Sequence, residues 1–210
     1  MWRLAALTPP EWALRVAERP LELLRDHAYC ELRAAASAQS LLGRHADEPR
    51  LVSALCEVAR DELAHFALVV EELARRGAKL TPVGANPYTA GLLACTRHGR
   101  DELLLERLLV SSLIEARSLE RFHLLSEHLP DRALAEFYRS LLKTEAEHQA
   151  LFVALAREFY DAERVRVRLA ELRQDEARVL AGLEFDYRMH SGLQVRVESG
   201  VEPAGASAAR

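Results

Sequence analysis

Apolar side chains recur along most of this chain at alternating steps of three and four residues, the spacing that keeps one face of an α-helix hydrophobic. Proline and glycine interrupt the pattern only sparsely. A proline at position 20 suits the first turn of a helix, and Asp47-Glu48-Pro49 suits a cap and first turn. The pattern predicts two pairs of long helices, over about 20–44 and 49–76, and over about 101–128 and 131–160.

The segments around these four helices complete the predicted architecture. Residues 77–100 collect glycine and proline, which predicts a long crossover with at most one short helix. A short helix is also expected to begin at Pro9-Pro10-Glu11. Two helical hairpins joined by one long crossover are typical of ferritin-like bundles. The sequence therefore predicts an all-α, ferritin-like four-helix bundle.

The C-terminal part of the chain differs in character from the four long helices. A fifth helix, from Ala162 to Ala181, is dense in charge and is expected on the outside of the bundle. Its stretch from Glu163 to Arg178 is interpreted as a solvated face. Residues 1–190 are predicted to form a single domain, and residues 191–210 a disordered tail.

Composition narrows the class of protein. A chain of 210 residues that is 50 % hydrophobic can bury one sizeable core. It has no apolar run near the roughly 18 to 20 residues of a membrane span, and its first residues lack a secretory signal. Three cysteines without Cys-x-x-Cys spacing indicate reduced thiols, so we expect a cytoplasmic protein. A net charge of −4 does not by itself indicate a nucleic-acid binder.

Polar residues in the middle of the apolar stripes carry the candidate chemistry. The stripe of the fourth long helix runs through Tyr138 and Leu141 to a glutamate and a histidine, then returns to Phe152. The second helix repeats this arrangement, and the first and third each place one glutamate in the same setting. The six candidate metal ligands are Glu31, Glu62, His65, Glu115, Glu145 and His148.

Charge balance favours two metal ions. A lone buried carboxylate would normally take up a proton, and four together would repel one another. Two divalent cations supply a charge of about +4 against four carboxylates, with two neutral imidazoles completing the ligand set. Carboxylate with imidazole suits iron or manganese, and zinc less exclusively.

Spacing places the candidate ligands at matching heights. From Ala46, Glu31 lies 15 residues back and Glu62 lies 16 forward, while Glu115 and Glu145 each lie 15 residues from Pro130. In both Glu-x-x-His pairs the two side chains share one helix face. One such pair is common by chance in glutamate-rich helices, whereas two pairs, each matched by an inward glutamate, are hard to obtain by accident.

Several other acidic residues and histidines are alternative candidates for metal ligands. Glu120 and His123 form a third Glu-x-x-His pair. Glu115 and Glu120 are separated by roughly 140° around the axis of their helix, so they cannot both bind the same metal pair. Hairpin symmetry favours Glu115, with Glu120 as the fallback. We interpret His27 as structural, and Asp61 equally as a partner of a ligand histidine or a solvated charge. The remaining histidines are expected at the surface: His45, His98, His128 and His190.

Four longer strings extend the ligand pattern. They read DHAYCE at 26–31 followed by RAA at 33–35, DELAHF at 61–66, LIEARSLERF at 113–122 and FYRSLLKTEAEH at 137–148. Over roughly residues 20–160 the chain resembles the tRNA 2-methylthio-N6-isopentenyladenosine hydroxylases, a diiron family of the ferritin-like superfamily.

The resemblance implies an oxygen-dependent monooxygenase with two iron ions held by the six residues. It would hydroxylate the isopentenyl group of a modified adenosine beside the tRNA anticodon. Electrons would come from an external donor, and the oligomeric state stays open. Four arginines near the motifs are expected equally as phosphate contacts or as ordinary salt links: Arg25, Arg33, Arg117 and Arg121.

Two other functions compete with this interpretation. One is a different diiron oxidase, such as a ferroxidase or a peroxide scavenger, which would share the ligand set. The other is a helical interaction module in which the inward polar groups form a protonated network without metal. Metal analysis separates the second from the first.

Overall fold

The computed structural model describes residues 4–99 and 102–193, and every helix within these ranges is an α-helix. The order is α1 (Glu11–Val16), α2 (Pro20–Arg44), α3 (Pro49–Arg75), α4 (Pro87–Ala94), α5 (Leu103–His128), α6 (Arg132–Phe159) and α7 (Ala162–Gly182). The most extensive contacts join α2 to α3 and α5 to α6. Two hairpins connected through the crossover that contains α4 therefore form the bundle, as the apolar pattern predicts.

Local sequence explains where the long helices begin and end. Prolines open α2, α3 and α4, where the missing backbone N–H leaves no donor unsatisfied. The side chain of Asp131 accepts a hydrogen bond from the Leu134 N–H at 3.1 Å and caps α6. Gly77, with φ of 70°, follows α3 in the left-handed conformation that glycine adopts without a Cβ clash. These positions match the predicted boundaries to within a few residues.

The bundle core is layered. One apolar cluster surrounds residues such as Leu55, Leu108 and Phe152, and a second surrounds Leu24 and Phe122. Each of the four long helices contributes residues to both clusters. On every one of these helices, the candidate ligands lie between the residues of the first cluster and those of the second. A thin polar layer is therefore enclosed between two apolar layers.

Helix α7 packs against the bundle through buried charges, which corrects the interpretation of 163–178 as a solvated face. Arg168 donates to both oxygens of Glu106 on α5, at 2.6 and 2.8 Å. The fully buried Glu176 accepts from Tyr88 of α4 at 2.9 Å. These charges lie on the same stripe as Val165 and Leu172. The pattern of one helix could not show this, because the partner charges are on other helices.

The chain after α7 folds back onto the bundle. Gly192 N–H donates to the Glu184 carbonyl at 2.8 Å, and Arg121 donates to the Ser191 carbonyl at 2.7 Å. Ser191 is buried, although it was placed in the predicted tail. Residues 194–210, the rest of that tail, lie outside the described residues. Among the helices described, none is long and apolar enough to cross a membrane.

Gly91 marks a close contact between α4 and α7, and Gly91→Ala tests it. A Cβ at this position would lie 2.7 Å from Cγ1 of Val179, so a β-branched side chain and its helix would have to shift. We expect the variant to lose about 1 to 3 kcal/mol of unfolding free energy in urea denaturation, the usual cost of overpacking.

Gly43→Ala in α2 is the matched control. No heavy atom lies within 4 Å of its added Cβ, so the substitution is expected to be neutral or to stabilise by up to about 1 kcal/mol. Equal destabilisation by both substitutions would contradict a close approach of α4 and α7.

Candidate metal centre

The structure brings the six predicted residues together in the polar layer. All six are buried, with none more than 6 % exposed. Their ligand atoms form two groups in which every atom lies within 4.8 Å of the others. The first group contains Glu31, Glu62, His65 and Glu145, and the second contains Glu62, Glu115 and His148. Glu62 belongs to both groups and would therefore help to hold both cations.

The orientation of these atoms fits metal ligands better than a hydrogen-bonded network. Nδ1 of His148 is 2.8 Å from Oε1 of Glu62, and Nδ1 of His65 is 3.2 Å from Oε1 of Glu145. None of these four atoms has a hydrogen-bond partner in the part of the chain that the structure describes. Buried polar atoms are normally paired, so atoms that converge without pairing indicate a shared cation.

The charges of the six buried side chains also favour the binding of cations among them. Burial raises the pKa of Glu62 and Glu115 well above the usual range, and neighbouring glutamates raise it further because like charges oppose ionisation. Burial lowers the pKa of His65, but the carboxylates of Glu31 and Glu145 outweigh it and raise the pKa to about 10. Two divalent cations would stabilise the charged carboxylates in place of protons.

The ligand types match a known arrangement. One glutamate comes from each of α2 and α5, and one Glu-x-x-His pair comes from each of α3 and α6. This is the ligand set of ferritin-like carboxylate proteins that bind two iron or manganese ions in a bundle core. The residues present therefore fit a diiron centre.

His27 holds Glu31 in position, in keeping with its interpretation as structural. Its Nε2 lies 2.5 Å from Oε1 of Glu31, and its ring stacks on Tyr138 at 5.5 Å. Burial opposes ionisation of Glu31, but the contact with His27 helps to hold the pKa of this carboxyl well below its ordinary value. One oxygen of Glu31 is thereby fixed, which leaves the other to face His65 at 3.7 Å.

His27→Ala is expected to lower ferrous iron affinity by about 10- to 100-fold, the usual effect of removing a group that orients a ligand. The measurement is competition with a ferrous chelator under anaerobic conditions. His128→Ala, at the exposed end of α5, is the control and should bind iron like the unmodified protein. Undiminished affinity in His27→Ala would contradict the positioning role.

Glu120, the fallback ligand, lies outside the cluster. Its carboxylate accepts from the Thr8 N–H at 2.6 Å and from Arg117 at 2.5 Å. Asp61 approaches the centre from the surface, with Oδ2 at 3.5 Å from Nε2 of His148, but this pair makes no hydrogen bond. The structure thus places Glu115, rather than Glu120, among the candidate ligands.

A cavity of about 390 Å³ adjoins the centre at Glu115. It lies among α2, α4 and α5, and most of its exposed lining is apolar. The apolar part of the lining includes Ala34, Ala38, Leu93, Val110, Ile114 and Phe152. A small apolar group could therefore lie beside Glu115 against an apolar wall.

His190 also lines this cavity, so its predicted surface placement was wrong. The ring is 3 % exposed, stacks on Tyr88 at 4.8 Å, and has Nε2 at 3.1 Å from Oγ of Ser118. Burial lowers its pKa well below the ordinary value, which keeps the ring neutral. Residues 183–190 have no helical period, so the sequence carried no signal for this placement. His98 and His128 are exposed as predicted, and His45 is half-buried.

Of the four arginines near the motifs, two are fully buried and two are not. Arg117 and Arg121 are fully buried and bind protein groups, so they are not phosphate contacts. Arg25 donates to the Lys79 carbonyl at 3.1 Å. Arg33 lines the cavity and donates to the Gly84 carbonyl at 3.0 Å.

Comparison with known proteins agrees with this architecture. A family model described as tRNA-(MS[2]IO[6]A)-hydroxylase (MiaE) matches residues 3–191. The chain belongs to this family. Two relatives are named tRNA 2-(methylsulfanyl)-N(6)-isopentenyladenosine(37) hydroxylase. The one from Pseudomonas putida is 35 % identical, over 89 % of this chain and 90 % of the relative. The one from Salmonella typhimurium is 28 % identical, over 89 % and 86 %.

A solved structure shares the fold of this MiaE-family chain. It is described as Protein 43 with aldehyde deformylating oxygenase activity from Synechococcus. It is 40 % identical, covers 91 % of this chain and 96 % of its own, and superposes with a TM-score of 0.87. The all-helical, ferritin-like architecture predicted from the sequence is thus confirmed.

Proposed function

We propose that this protein is a diiron monooxygenase that hydroxylates the isopentenyl group of 2-methylthio-N6-isopentenyladenosine in tRNA. The observation that carries the proposal is a buried cluster of four glutamates and two histidines that adjoins an apolar cavity, in a chain of the MiaE family. The six residues Glu31, Glu62, His65, Glu115, Glu145 and His148 are the proposed ligands.

The bound iron pair would supply the reduction of dioxygen, with one oxygen atom entering the substrate C–H bond and the other leaving as water. The balance requires two electrons and two protons, so an external electron donor is part of the proposal. A cytoplasmic location is also part of it, because that is where tRNA would be encountered.

The side chains of the protein have three tasks in this reaction. The ligand glutamates and histidines hold the metal pair, with Glu31 fixed by His27. The apolar wall, including Ile114 and Phe152, holds the isopentenyl chain beside Glu115 and excludes water. The target base must leave its stack to enter a cavity of this size, as for other enzymes that modify bases.

The test is hydroxylation by purified protein after anaerobic reconstitution with ferrous iron. An anticodon stem-loop RNA with the isopentenylated nucleoside is incubated with oxygen and a reductant, then digested and analysed by mass spectrometry. We expect the target nucleoside to gain one oxygen atom. Reconstituted protein that contains two iron ions per chain and leaves the nucleoside unchanged would refute the substrate assignment.

A second candidate reaction is the deformylation of an aldehyde. It is favoured by the Synechococcus relative, whose described activity is aldehyde deformylating oxygenase and whose identity to this chain is 40 %. The apolar cavity would also accept an alkyl chain. Incubation of the same iron-loaded protein with a long-chain aldehyde distinguishes the two, since only deformylation releases a hydrocarbon one carbon shorter.

A further inference from the structure

Three arginines line the cavity that adjoins Glu115. They are Arg33, Arg44 and Arg107, and none of them forms an ion pair with a carboxylate among residues 4–99 and 102–193. Two fully buried arginines elsewhere bind protein groups, Arg117 the carboxylate of Glu176 at 2.9 Å and Arg121 the Ser191 carbonyl at 2.7 Å. Arg33 and Arg107 are half-buried and Arg44 is exposed, so an anion that enters the cavity from solvent could contact all three.

Burial strengthens this argument at Arg33. One guanidinium nitrogen donates to the Gly84 carbonyl, but the other terminal nitrogen is buried without a hydrogen-bond partner in the described part of the chain. Leaving a buried charged donor unsatisfied is unfavourable, because the hydrogen bond that it made to water is not replaced. An anion in the cavity would remove this cost.

The other two arginines lie away from the metal level, toward one end of the bundle. Arg107 is eight residues before Glu115 on α5, or roughly 12 Å along the helix axis. Arg44 is thirteen residues after Glu31 on α2, or roughly 20 Å. Because α2 ends and α5 begins beside the same apolar cluster, the two arginines share one end of the molecule.

We propose that Arg33, Arg44 and Arg107 form a phosphate-binding wall that holds the RNA backbone next to the nucleotide being modified. This inference rests on the proposed function, because a tRNA substrate brings phosphates to the cavity together with the base that carries the isopentenyl group. The planar guanidinium donates two parallel hydrogen bonds to a phosphate. Since the whole chain carries a net charge of −4, attraction for RNA has to come from such a local group.

The polarity of the cavity also suits a nucleotide. Most of its lining is apolar and fits the isopentenyl chain, whereas the arginines provide positive charge for the polar backbone. The protein would therefore recognise the modified adenosine together with its flanking phosphates. This predicts binding that weakens with salt, because phosphate contacts release counterions.

The experiment measures binding of the anticodon stem-loop RNA to iron-loaded protein by fluorescence anisotropy at several salt concentrations. We expect Arg44→Ala and Arg107→Ala each to weaken binding by about 5- to 20-fold. Each is also expected to reduce the slope of log affinity against log salt by about 1. Arg107→Lys should lose less affinity than Arg107→Ala and keep the salt slope, because the positive charge remains although the paired guanidinium hydrogen bonds are lost. Arg33 is left in place because it lies two residues from Glu31.

Arg132→Ala is the matched control, an exposed arginine at the start of α6 that does not line the cavity. It should bind RNA with unchanged affinity and salt slope. Iron content and thermal midpoint verify that all variants are folded.

The outcomes separate this inference from the proposed function. Binding and salt slopes equal to those of the unmodified protein in both alanine variants would overturn the phosphate wall, whatever the activity. Arginine-dependent binding of RNA that is never hydroxylated would support the wall and overturn the reaction instead.

Discussion

Glu145→Ala is expected to leave the protein with well under one iron per chain and without hydroxylase activity. Glu145 is 1 % exposed, and its Oε1 lies 3.2 Å from Nδ1 of His65 in the larger ligand group. Its removal takes away a charged ligand and leaves the positive charge of the metal pair uncompensated. Iron analysis after anaerobic ferrous reconstitution measures the first effect, and nucleoside analysis of the RNA product measures the second.

The matched control is Glu147→Ala, two residues along the same helix. Glu147 is exposed and lies 3.7 Å from Lys143, so its loss should affect neither iron content nor turnover. His65→Ala should behave like Glu145→Ala. Full activity in either ligand variant would show that the ligands are misplaced.

Metal-free protein provides a further readout for Glu145→Ala. In the absence of iron, the substitution relieves repulsion of Glu62 and Glu115 but also removes a partner of the His65 imidazole, and because these effects oppose each other the thermal midpoint of the apoprotein should change little. The unmodified protein should gain about 2.7 kcal/mol of unfolding free energy at an iron concentration 100 times its dissociation constant. The variant should gain almost none. A variant that merely failed to fold would instead have a low midpoint in both conditions.

Arg117→Ala is expected to cause the largest loss of stability, about 3 to 5 kcal/mol of unfolding free energy. Arg117 is fully buried and donates to Glu176 at 2.9 Å, to Glu120 at 2.5 Å and to the Ala6 carbonyl at 2.8 Å. Without it, two buried carboxylates lose their counter-charge. Urea denaturation of the apoprotein measures the effect without any contribution from iron.

The control for Arg117→Ala is Arg166→Ala on the exposed face of α7. Arg166 pairs with Glu163 three residues away, and both side chains are 65 % exposed. Pairs of this kind contribute less than about 1 kcal/mol. Similar losses in the two variants would refute a special role for the buried network. A loss below 1 kcal/mol in Arg117→Ala would do the same.

The candidate ligands were predictable because their signal is local. A glutamate or histidine that replaces an apolar residue on a helical stripe is visible from its neighbours three and four residues away, as for Glu145 between Leu141 and His148. Matching distances from each hairpin turn then place Glu31 level with Glu62, since each residue adds a fixed rise to a helix. Helical periodicity alone was sufficient for these positions.

The helical pattern alone does not decide whether Glu115 or Glu120 is the ligand. Both lie on the same helix and both are buried. Hairpin symmetry favoured Glu115, but only the structure reveals that Glu120 is held by Thr8, which is 112 residues away in the chain. No pattern in the sequence around Glu120 predicts a contact with Thr8.

The helices, their pairing into hairpins and the polar layer of the bundle core follow from the amino-acid pattern, because each depends on spacing within one helix or across one turn. The attachment of α7 through Glu176 and Arg168 and the position of His190 in the cavity became visible in the folded chain alone. The same holds for the three unpaired arginines of the cavity wall. Whether a charge is satisfied depends on which distant side chain lies next to it, and periodicity along one helix carries no information about that neighbour.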